Sequence, residues 1–392
     1  MSVDAALYFT EPGDVAHALV AVAGRPVAFR AVMAALRAGA NRVFVPAALR
    51  ATDVGRLIAS HPSAPARSVW LDADTPVPDG PLLLLPAASF VTREVLRPVL
   101  ASDGPVLVDR AAPNAAGGVV PAATVASVWA RLVAGEPLGD AVRRALASDG
   151  RTRLEDQPFM RIASPADASR VSARLLASLG SPIDTPLDRA LHRRLSRPCS
   201  LVAVRLGVTP NAITLLSLVV GLAAGASLAG GTLASALAGL ALYVAAVVLD
   251  HSDGEVARLT FAESSLGEWL DVTADTVVHT LVVGAMGVAA QRAAGGGLVA
   301  GLVGGAGVIG SAWFVKTSPA APETTNGLLD ALANRDGFYA MLVLFVVSLA
   351  ALPSALPVLM LVVAAGTNAY WLAWLVYRVR PARRAKTLRK PK

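Results

Sequence analysis

Lysine and cysteine are nearly absent from this chain of 392 residues. The first lysine is Lys316, and Cys199 is the single cysteine. One cysteine excludes an internal disulfide and any site that needs a pair of thiolates. Charged residues make up only 16% of the sequence, whereas hydrophobic residues make up 54%. This balance is too apolar for an ordinary soluble domain and favours a chain that is partly embedded in a membrane.

The first part of the chain, residues 1–170, alternates between short apolar runs and helical patterns. VFVP at 43–46 and LLLLP at 82–86 are typical of buried strands, and AFRAVMAALRAGA has helical periodicity. This alternation predicts a soluble α/β domain with a mainly parallel sheet. Residues 171–209 spread arginines among leucines and valines, which predicts an amphipathic juxtamembrane segment on the membrane surface. A solvated interdomain helix is the alternative.

Residues 210–380 are predicted to form an all-α transmembrane domain. Six apolar runs approach the length of about 20 residues that a span needs. They cover 211–230, 232–250, 268–290, 296–317, 338–353 and 356–377. Basic residues lie before the first run and fill the tail at 381–392. Because positive charge favours the cytoplasmic side, the tail and the N-terminal domain are expected there. We expect an integral protein of a bacterial or archaeal cell membrane.

Four aspartates interrupt this apolar region. Asp250 and Asp253 are spaced i, i+3 near the end of the second run, and Asp271 and Asp275 are spaced i, i+4 near the start of the third. Each pair therefore lies on one helical face. The connection LTFAESSLG is short, so two antiparallel helices can bring the four carboxylates together at the cytoplasmic end of the spans.

Four like charges near a membrane need compensation. A charged side chain at the centre of a spanning helix costs about 3 kcal/mol on insertion scales. Two divalent cations would compensate the charge, and hard oxygen ligands indicate Mg²⁺ or Mn²⁺. Such a pair of ions suits phosphoryl or phosphodiester chemistry. Gly254 and Ala257 leave room for a ligand beside the acids, and Arg258 can pair with a phosphate.

The stretch from Asp250 to Asp275 resembles the signature of the CDP-alcohol phosphotransferases, D-x2-D-G-x2-A-R-x8-G-x3-D-x3-D. Its fixed positions are all matched here, by Asp250, Asp253, Gly254, Ala257, Arg258, Gly267, Asp271 and Asp275. TPNAIT at 209–214 also resembles the start of the family's first span. The resemblance covers about 190–392.

The resemblance implies a reaction and a set of roles. The four aspartates would bind two metal ions, and Asp275 would be the general base that deprotonates the acceptor hydroxyl. That hydroxyl would attack the β-phosphorus of a CDP-alcohol and displace CMP. Gly254, Ala257, Arg258 and Gly267 would line the CDP-alcohol pocket, with Asn211, Thr214 and Ser264 as further candidates. The partners would be a CDP-alcohol donor, an alcohol acceptor with or without a phosphate group, and membrane lipid. We expect a homodimer and no nucleic-acid partner.

The N-terminal domain resembles a sugar-phosphate nucleotidyltransferase that has lost its active site. VAGRPVAFRAVMAALRAGANRVFVP is similar to that family's early strand–helix unit, and MRIASPADASRVSARLL to its late segment. The layout is similar to that of the bifunctional inositol-1-phosphate cytidylyltransferase and di-inositol-phosphate phosphate synthase. The Gly-rich loop and the lysine are missing, however, and Ala87, Ala88, Ala163 and Ser164 stand where acids or Asp-Thr are expected. These losses favour a scaffold-like domain.

Two other functions remain open at this point. A bifunctional enzyme would also make its own CDP-alcohol in the N-terminal domain. A cation-coupled transporter would use the acids as an ion site, although transporter sites usually lie near the midplane on broken helices. Lys316 and Arg335 are further candidates for a basic pocket that binds an anionic acceptor, and simple positive-inside anchoring is their alternative explanation.

Overall fold

The computed structural model describes residues 3–101, 104–147, 153–154, 159–180, 184–317 and 335–379. The chain divides into two units. Unit 1 comprises Met1–Leu179 together with the short segment Leu259–Ala262, and unit 2 comprises Gly180–Arg258 and Glu263–Lys392. The predicted basic tail at 381–392 lies outside the described residues.

Unit 1 contains strands and helices in alternation. Its strands are β1 Asp4–Tyr8, β2 Ala21–Val22, β3 Arg25–Pro26, β4 Val43–Pro46, β5 Ser68–Leu71, β6 Leu82–Pro86, β7 Ser89–Phe90, β8 Val106–Val108, β9 Ala116–Val120, β10 Arg153–Leu154 and β11 Met160–Arg161. Its helices are α1 Asp14–Ala18, α2 Val27–Ala38, α3 Asp53–Ser60, α4 Arg93–Val99, α5 Ala122–Val133, α6 Gly139–Ala147 and α7 Pro165–Ser178. Short 3₁₀ turns cover Ala47–Leu49 and Pro65–Arg67.

The described strands of unit 1 form a sheet with the order β10-β8-β9-β6-β1-β4-β5. β1 pairs in parallel with both β4 and β6, and β4 pairs in parallel with β5. β9 is antiparallel to β6 and β8. The apolar runs at 43–46 and 82–86 are buried along their whole length, as central strands of a covered sheet require. The prediction of an α/β domain with a mainly parallel sheet is confirmed.

Unit 2 is helical throughout its described residues. A π-turn at Asp188–His192 leads into α8, Arg193–Arg205, and the remaining helices are α9 Pro210–Leu228, α10 Leu233–Thr260, α11 Ser265–Ala294, α12 Leu298–Thr317, α13 Arg335–Ala351 and α14 Leu356–Val379, with a 3₁₀ turn at Pro353–Ala355. Large apolar side chains are exposed on these helices, among them Leu215 and Val219 on α9 and Val299 on α12. Such faces are typical of lipid contact, because lipid is as apolar as the side chains themselves.

Four helices among the described residues are long and apolar enough to cross a membrane: Pro210–Leu228, Leu233–Thr260, Ser265–Ala294 and Pro353–Ala373. Together they make unit 2 a membrane region. The prediction of six spans is not confirmed. The helix α13 has only 17 residues, and the apolar stretch of α12, Leu298–Phe314, is also short.

Helices α11 and α12 approach each other closely at two glycines. A Cβ atom added to Gly287 would lie 2.7 Å from the Cα atom of Gly301, and one added to Gly301 would lie 2.6 Å from the Cα atom of Gly287. Neither position can carry a side chain without moving a helix, because the nearest atoms are backbone. Close packing through small residues is the usual way in which helices associate in lipid.

Candidate active site

The predicted aspartate cluster forms between α10 and α11. Asp250 and Asp253 lie on α10, and Asp271 and Asp275 lie on the first turns of α11. One carboxylate oxygen from each of Asp250, Asp253 and Asp271 lies within 4.8 Å of the others. Oxygens at this spacing can share a divalent cation as ligands, so the helical spacing in the sequence has produced a convergent acidic site.

Asp275 is more exposed than Asp250, although both carboxylates lie close to the same arginine. Its side chain is 38% exposed, whereas that of Asp250 is 10% exposed. The Arg335 guanidinium lies 3.2 Å from the Asp250 carboxylate and 3.7 Å from the Asp275 carboxylate. Arg335 therefore joins the cluster from α13, and Asp275 remains the acid with more open access.

The residues predicted to line the CDP-alcohol pocket lie beside the acids. Thr214 on α9 donates a 2.5 Å hydrogen bond to the Asp253 carboxylate. A Cβ atom on Gly254 would lie 3.4 Å from the Arg258 guanidinium, so the guanidinium packs beside this glycine. Ala257 follows on the same helix and is half-buried.

The beginning of α11 brings together three more of the predicted residues. The Ser264 hydroxyl caps the helix by accepting a 3.0 Å hydrogen bond from the Gly267 amide. A Cβ atom on Gly267 would lie 3.2 Å from both Asn211 Oδ1 and Ser264 Oγ. A larger residue at 267 would therefore crowd two polar side chains at the helix N-terminus, where phosphate groups are commonly bound.

The two residues proposed for the acceptor differ in position. Arg335 contacts the aspartates directly, as described above. Lys316 is exposed in the last turn of α12. Sequence reasoning grouped them by charge and by their expected side of the membrane. The structure distinguishes a partly buried arginine from an exposed lysine.

Sequence reasoning missed a glutamate inside the motif. Glu255 has a fully buried side chain that accepts hydrogen bonds from Arg193 at 2.9 Å, Ser196 at 2.8 Å and Ser200 at 2.6 Å. Arg193 also pairs with Asp184 at 2.8 Å. Glu255 thus fixes α8 against α10. The arginine spacing of α8 was visible in the sequence, but the partners of Glu255 were not.

Sequence reasoning also missed Asp188. This carboxylate is buried and accepts hydrogen bonds from the imidazoles of His192 at 2.9 Å and His251 at 3.1 Å. Burial alone would raise the pKa of Asp188, but the hydrogen bonds from the two histidines outweigh it and hold that pKa well below its usual range. Asp188 is therefore a carboxylate anion close to the acidic cluster. No local pattern marks it, because it lies far from the motif in sequence.

In unit 1, the loop after β1 is closed by an ion-pair cluster. Arg161 pairs with Glu11 and with the buried Asp14, 2.5 Å away. Burial raises the pKa of Asp14, but Arg161 outweighs it and keeps that pKa below its ordinary value. Ala87 and Ala88 are fully buried after β6. A nucleotidyltransferase is expected to carry an acid at these positions, whereas here they hold small apolar side chains packed in the interior.

Comparison with known proteins finds a match for the C-terminal part of the chain. Residues 207–379 match the family model described as CDP-alcohol phosphatidyltransferase. This part of the chain is therefore similar to CDP-alcohol phosphatidyltransferases. The match includes all four aspartates and the residues around them.

Two similar proteins come from mycobacteria. The chain is 43% identical over 81 residues to the CDP-diacylglycerol–serine O-phosphatidyltransferase of Mycobacterium leprae (strain TN), a match that spans 21% of this chain and 26% of the relative. The crystal structure of Mycobacterium tuberculosis phosphatidylinositol phosphate synthase (PgsA1) with CDP-DAG bound shares 18% identity at a TM-score of 0.38. That comparison covers 47% of this chain and 92% of that chain. The chain spans about a quarter of the length of the curated relative that it matches.

Proposed function

We propose that the protein moves a phosphatidyl or polyol-phosphate group from a CDP-alcohol to an acceptor hydroxyl and releases CMP. The observation that carries this proposal is the convergence of Asp250, Asp253 and Asp271, whose oxygens lie within 4.8 Å of one another. The membrane character of unit 2 is consistent with a donor or product that is a lipid.

The residues present fit a pair of divalent cations. The four motif carboxylates supply oxygen ligands only, which suits Mg²⁺ or Mn²⁺ better than zinc. Asp250, Asp253, Asp271 and Asp275 would hold the ions, and the ions would neutralise charge on the donor phosphates. Thr214 orients the Asp253 carboxylate through its 2.5 Å hydrogen bond.

The proposed reaction needs one base and one leaving group. The Asp275 carboxylate takes the proton from the acceptor hydroxyl. The acceptor oxygen then forms a bond to the β-phosphorus, and the bond from that phosphorus to the bridging oxygen breaks. CMP leaves with the bridging oxygen. Asp275 suits the role of base because its side chain is more exposed than that of Asp250.

The mycobacterial relative suggests which donor to test first. Its name gives CDP-diacylglycerol as the donor and serine as the acceptor. We propose CDP-diacylglycerol as the first donor for this chain, with soluble CDP-polyols as the alternative. The acceptor panel should include serine, glycerol phosphate, inositol phosphate and a neutral polyol.

A direct assay tests the proposal. Purified full-length protein would be incubated with Mg²⁺, one CDP-alcohol and one acceptor at a time, and the products would be identified by mass spectrometry. The expected result is CMP together with a new phosphodiester in equal amounts. If no CDP-alcohol yields CMP with any acceptor, the proposed transfer is wrong and an ion-binding role of the acids becomes the better explanation.

We further propose that Lys316 and Arg335 bind an anionic acceptor. Lys316→Ala and Arg335→Ala are each expected to raise the acceptor KM about tenfold, because a charge-assisted hydrogen bond to a phosphate is lost. The KM of the CDP-alcohol should change less. Both constants would be measured at saturating Mg²⁺. An uncharged acceptor, or substitutions that change only membrane insertion and yield, would leave positive-inside anchoring as the explanation.

Unit 1 is expected to have no cytidylyltransferase activity. Full-length protein given CTP with inositol phosphate or a sugar phosphate should release no pyrophosphate, because Ala87 and Ala88 supply no metal ligand and Arg161 already pairs with Asp14. The same preparation must release CMP from a CDP-alcohol, which shows that it is active. Pyrophosphate release would establish the bifunctional alternative.

Orientation and assembly complete the proposal. The arginines of the juxtamembrane segment favour a cytoplasmic position for the aspartate cluster, since positive charge is retained on that side. We also propose a homodimer. The mass of the detergent-solubilised protein, measured by light scattering, would test the assembly.

A further inference from the structure

Both oxygens of the Asp188 carboxylate have hydrogen-bond partners within unit 2. The Thr185 amide donates to Oδ2 at 3.0 Å, and the imidazoles of His192 and His251 donate to Oδ1 at 2.9 Å and 3.1 Å. The side chains of Asp188, His192 and His251 are almost fully buried. This buried anion lies outside the aspartate motif, and the proposed reaction does not use it.

These three residues have the composition of a metal site, because their ligand atoms lie within 4.8 Å of one another. The charged neighbour of this group argues against that function. Both carboxylate oxygens already accept hydrogen bonds, and the Arg335 guanidinium lies 3.6 Å from Oδ1. A divalent cation at this point would lie beside the fixed positive charge of the guanidinium.

Arg335 is the link between Asp188 and the acidic cluster. Its Nη1 lies 3.1 Å from His251 Nε2 and 3.6 Å from Asp188, while its Nη2 lies 3.2 Å from Asp250 and 3.7 Å from Asp275. One guanidinium therefore spans three carboxylates, which its planar set of donors allows. A divalent cation held by Asp250 and Asp275 would compete with the guanidinium for the negative charge of these two carboxylates.

We propose that Asp188 is a positioning residue that shares the Arg335 guanidinium with Asp250 and Asp275 and so weakens its pairing with them, which lets a divalent cation bind those carboxylates. His192 and His251 fix the orientation of Asp188, and Asp188 shares the guanidinium with the cluster. Without the charge of Asp188, the guanidinium pairs more fully with Asp250 and Asp275 and competes with the ion. This inference rests on the proposed function, because it assumes that the cluster binds divalent cations.

The test is Mn²⁺ binding to the full-length protein in detergent, measured from the electron paramagnetic resonance of free Mn²⁺ without any nucleotide. Arg335→Gln should tighten Mn²⁺ binding about tenfold, and Asp188→Asn should weaken it about tenfold, as expected for a competing charge within 4 Å in a partly buried site. In the Arg335→Gln background, Asp188→Asn should have an effect of no more than about twofold, because the competing group is gone. Asp184→Asn is the matched control, since Asp184 is a buried acid of the same segment that pairs with Arg193 instead.

Each other outcome has a defined meaning. If Asp188→Asn weakens binding equally with and without Arg335, Asp188 acts on the ion directly and the inference is wrong. If Asp188→Asn lowers the number of bound ions by one, the three buried residues are an ion site and the inference is also wrong. An Asp188→Asn variant that folds only together with Arg335→Gln supports the pairing, whereas failure of both to fold makes Asp188 structural.

The experiment also separates the inference from the function on which it rests. If Mn²⁺ binding is unaffected by Asp250→Ala and Asp253→Ala, the proposed metal site itself is wrong. If binding needs these aspartates but does not respond to Arg335→Gln, the metal site stands and only the role of Asp188 is lost.

Discussion

Asp275→Asn is expected to abolish turnover while leaving the fold and CDP binding largely intact. The substitution keeps the size of the side chain and removes the proton acceptor. A positioned general base contributes about 10²–10⁴-fold to a rate, so a loss of at least about a hundredfold is expected. CMP release at saturating donor and acceptor would measure it, and donor affinity would be measured in parallel.

A matched control for this substitution is available on the same helix. Glu268 is an exposed acid in the first turn of α11 and lies outside the motif positions. Glu268→Gln should therefore retain most of the activity. If Asp275→Asn keeps more than a few per cent of the wild-type rate, another group is the base.

Asp250→Ala and Asp253→Ala are expected to lose metal-dependent CDP binding. Their carboxylates converge on one face of α10, where they would hold the ion that neutralises the donor phosphates. We expect CDP affinity in the presence of Mg²⁺ to fall at least about a hundredfold, to the weak level that wild-type protein shows when the metal is chelated.

Calorimetry with CDP, with and without Mg²⁺, would measure this loss. Thr214→Val is the graded comparison, because it removes only the hydrogen bond to Asp253 and should cost about tenfold or less. Equal CDP affinity with and without Mg²⁺ in the wild-type protein would contradict the two-metal proposal.

The parts of the site that the sequence could predict are those encoded by local spacing. Asp250 and Asp253 share a face because they are three residues apart on a helix, and Asp271 and Asp275 because they are four apart. The short connection between α10 and α11 then brings the pairs together. Local sequence also predicted the alternating strands and helices of unit 1, because a buried strand has a continuous run of apolar residues.

The parts that could not be predicted depend on contacts between distant positions. Arg335 is 85 residues from Asp250 in the chain, and Ser196 is 59 residues from Glu255. No periodicity links such positions, since their meeting depends on how whole helices pack. Glu255 lies within the motif in the sequence. Only the packing of the helices shows that its carboxylate binds side chains of α8 and does not join the aspartate cluster.

The number of spans could not be fixed from hydropathy for a related reason. Within the described residues, the helix α13 covers Arg335–Ala351, which is 17 residues and fewer than the roughly 20 that a straight span needs. Arg335 pairs with Asp250 in the acidic cluster and does not extend the apolar stretch. A charged residue at the end of a helix therefore shortens the run of apolar residues by which spans are counted.

The close contact of Gly287 with Gly301 has a consequence for how this protein can evolve. A side chain at either position meets the backbone of the opposite helix, so neither site has a tolerated single replacement that keeps the helices at this distance. Alanine or serine at 287 would require α12 to move, and that movement would in turn relieve the constraint at 301. Among descendants of this sequence, the two positions are expected to stay glycine together or to change together.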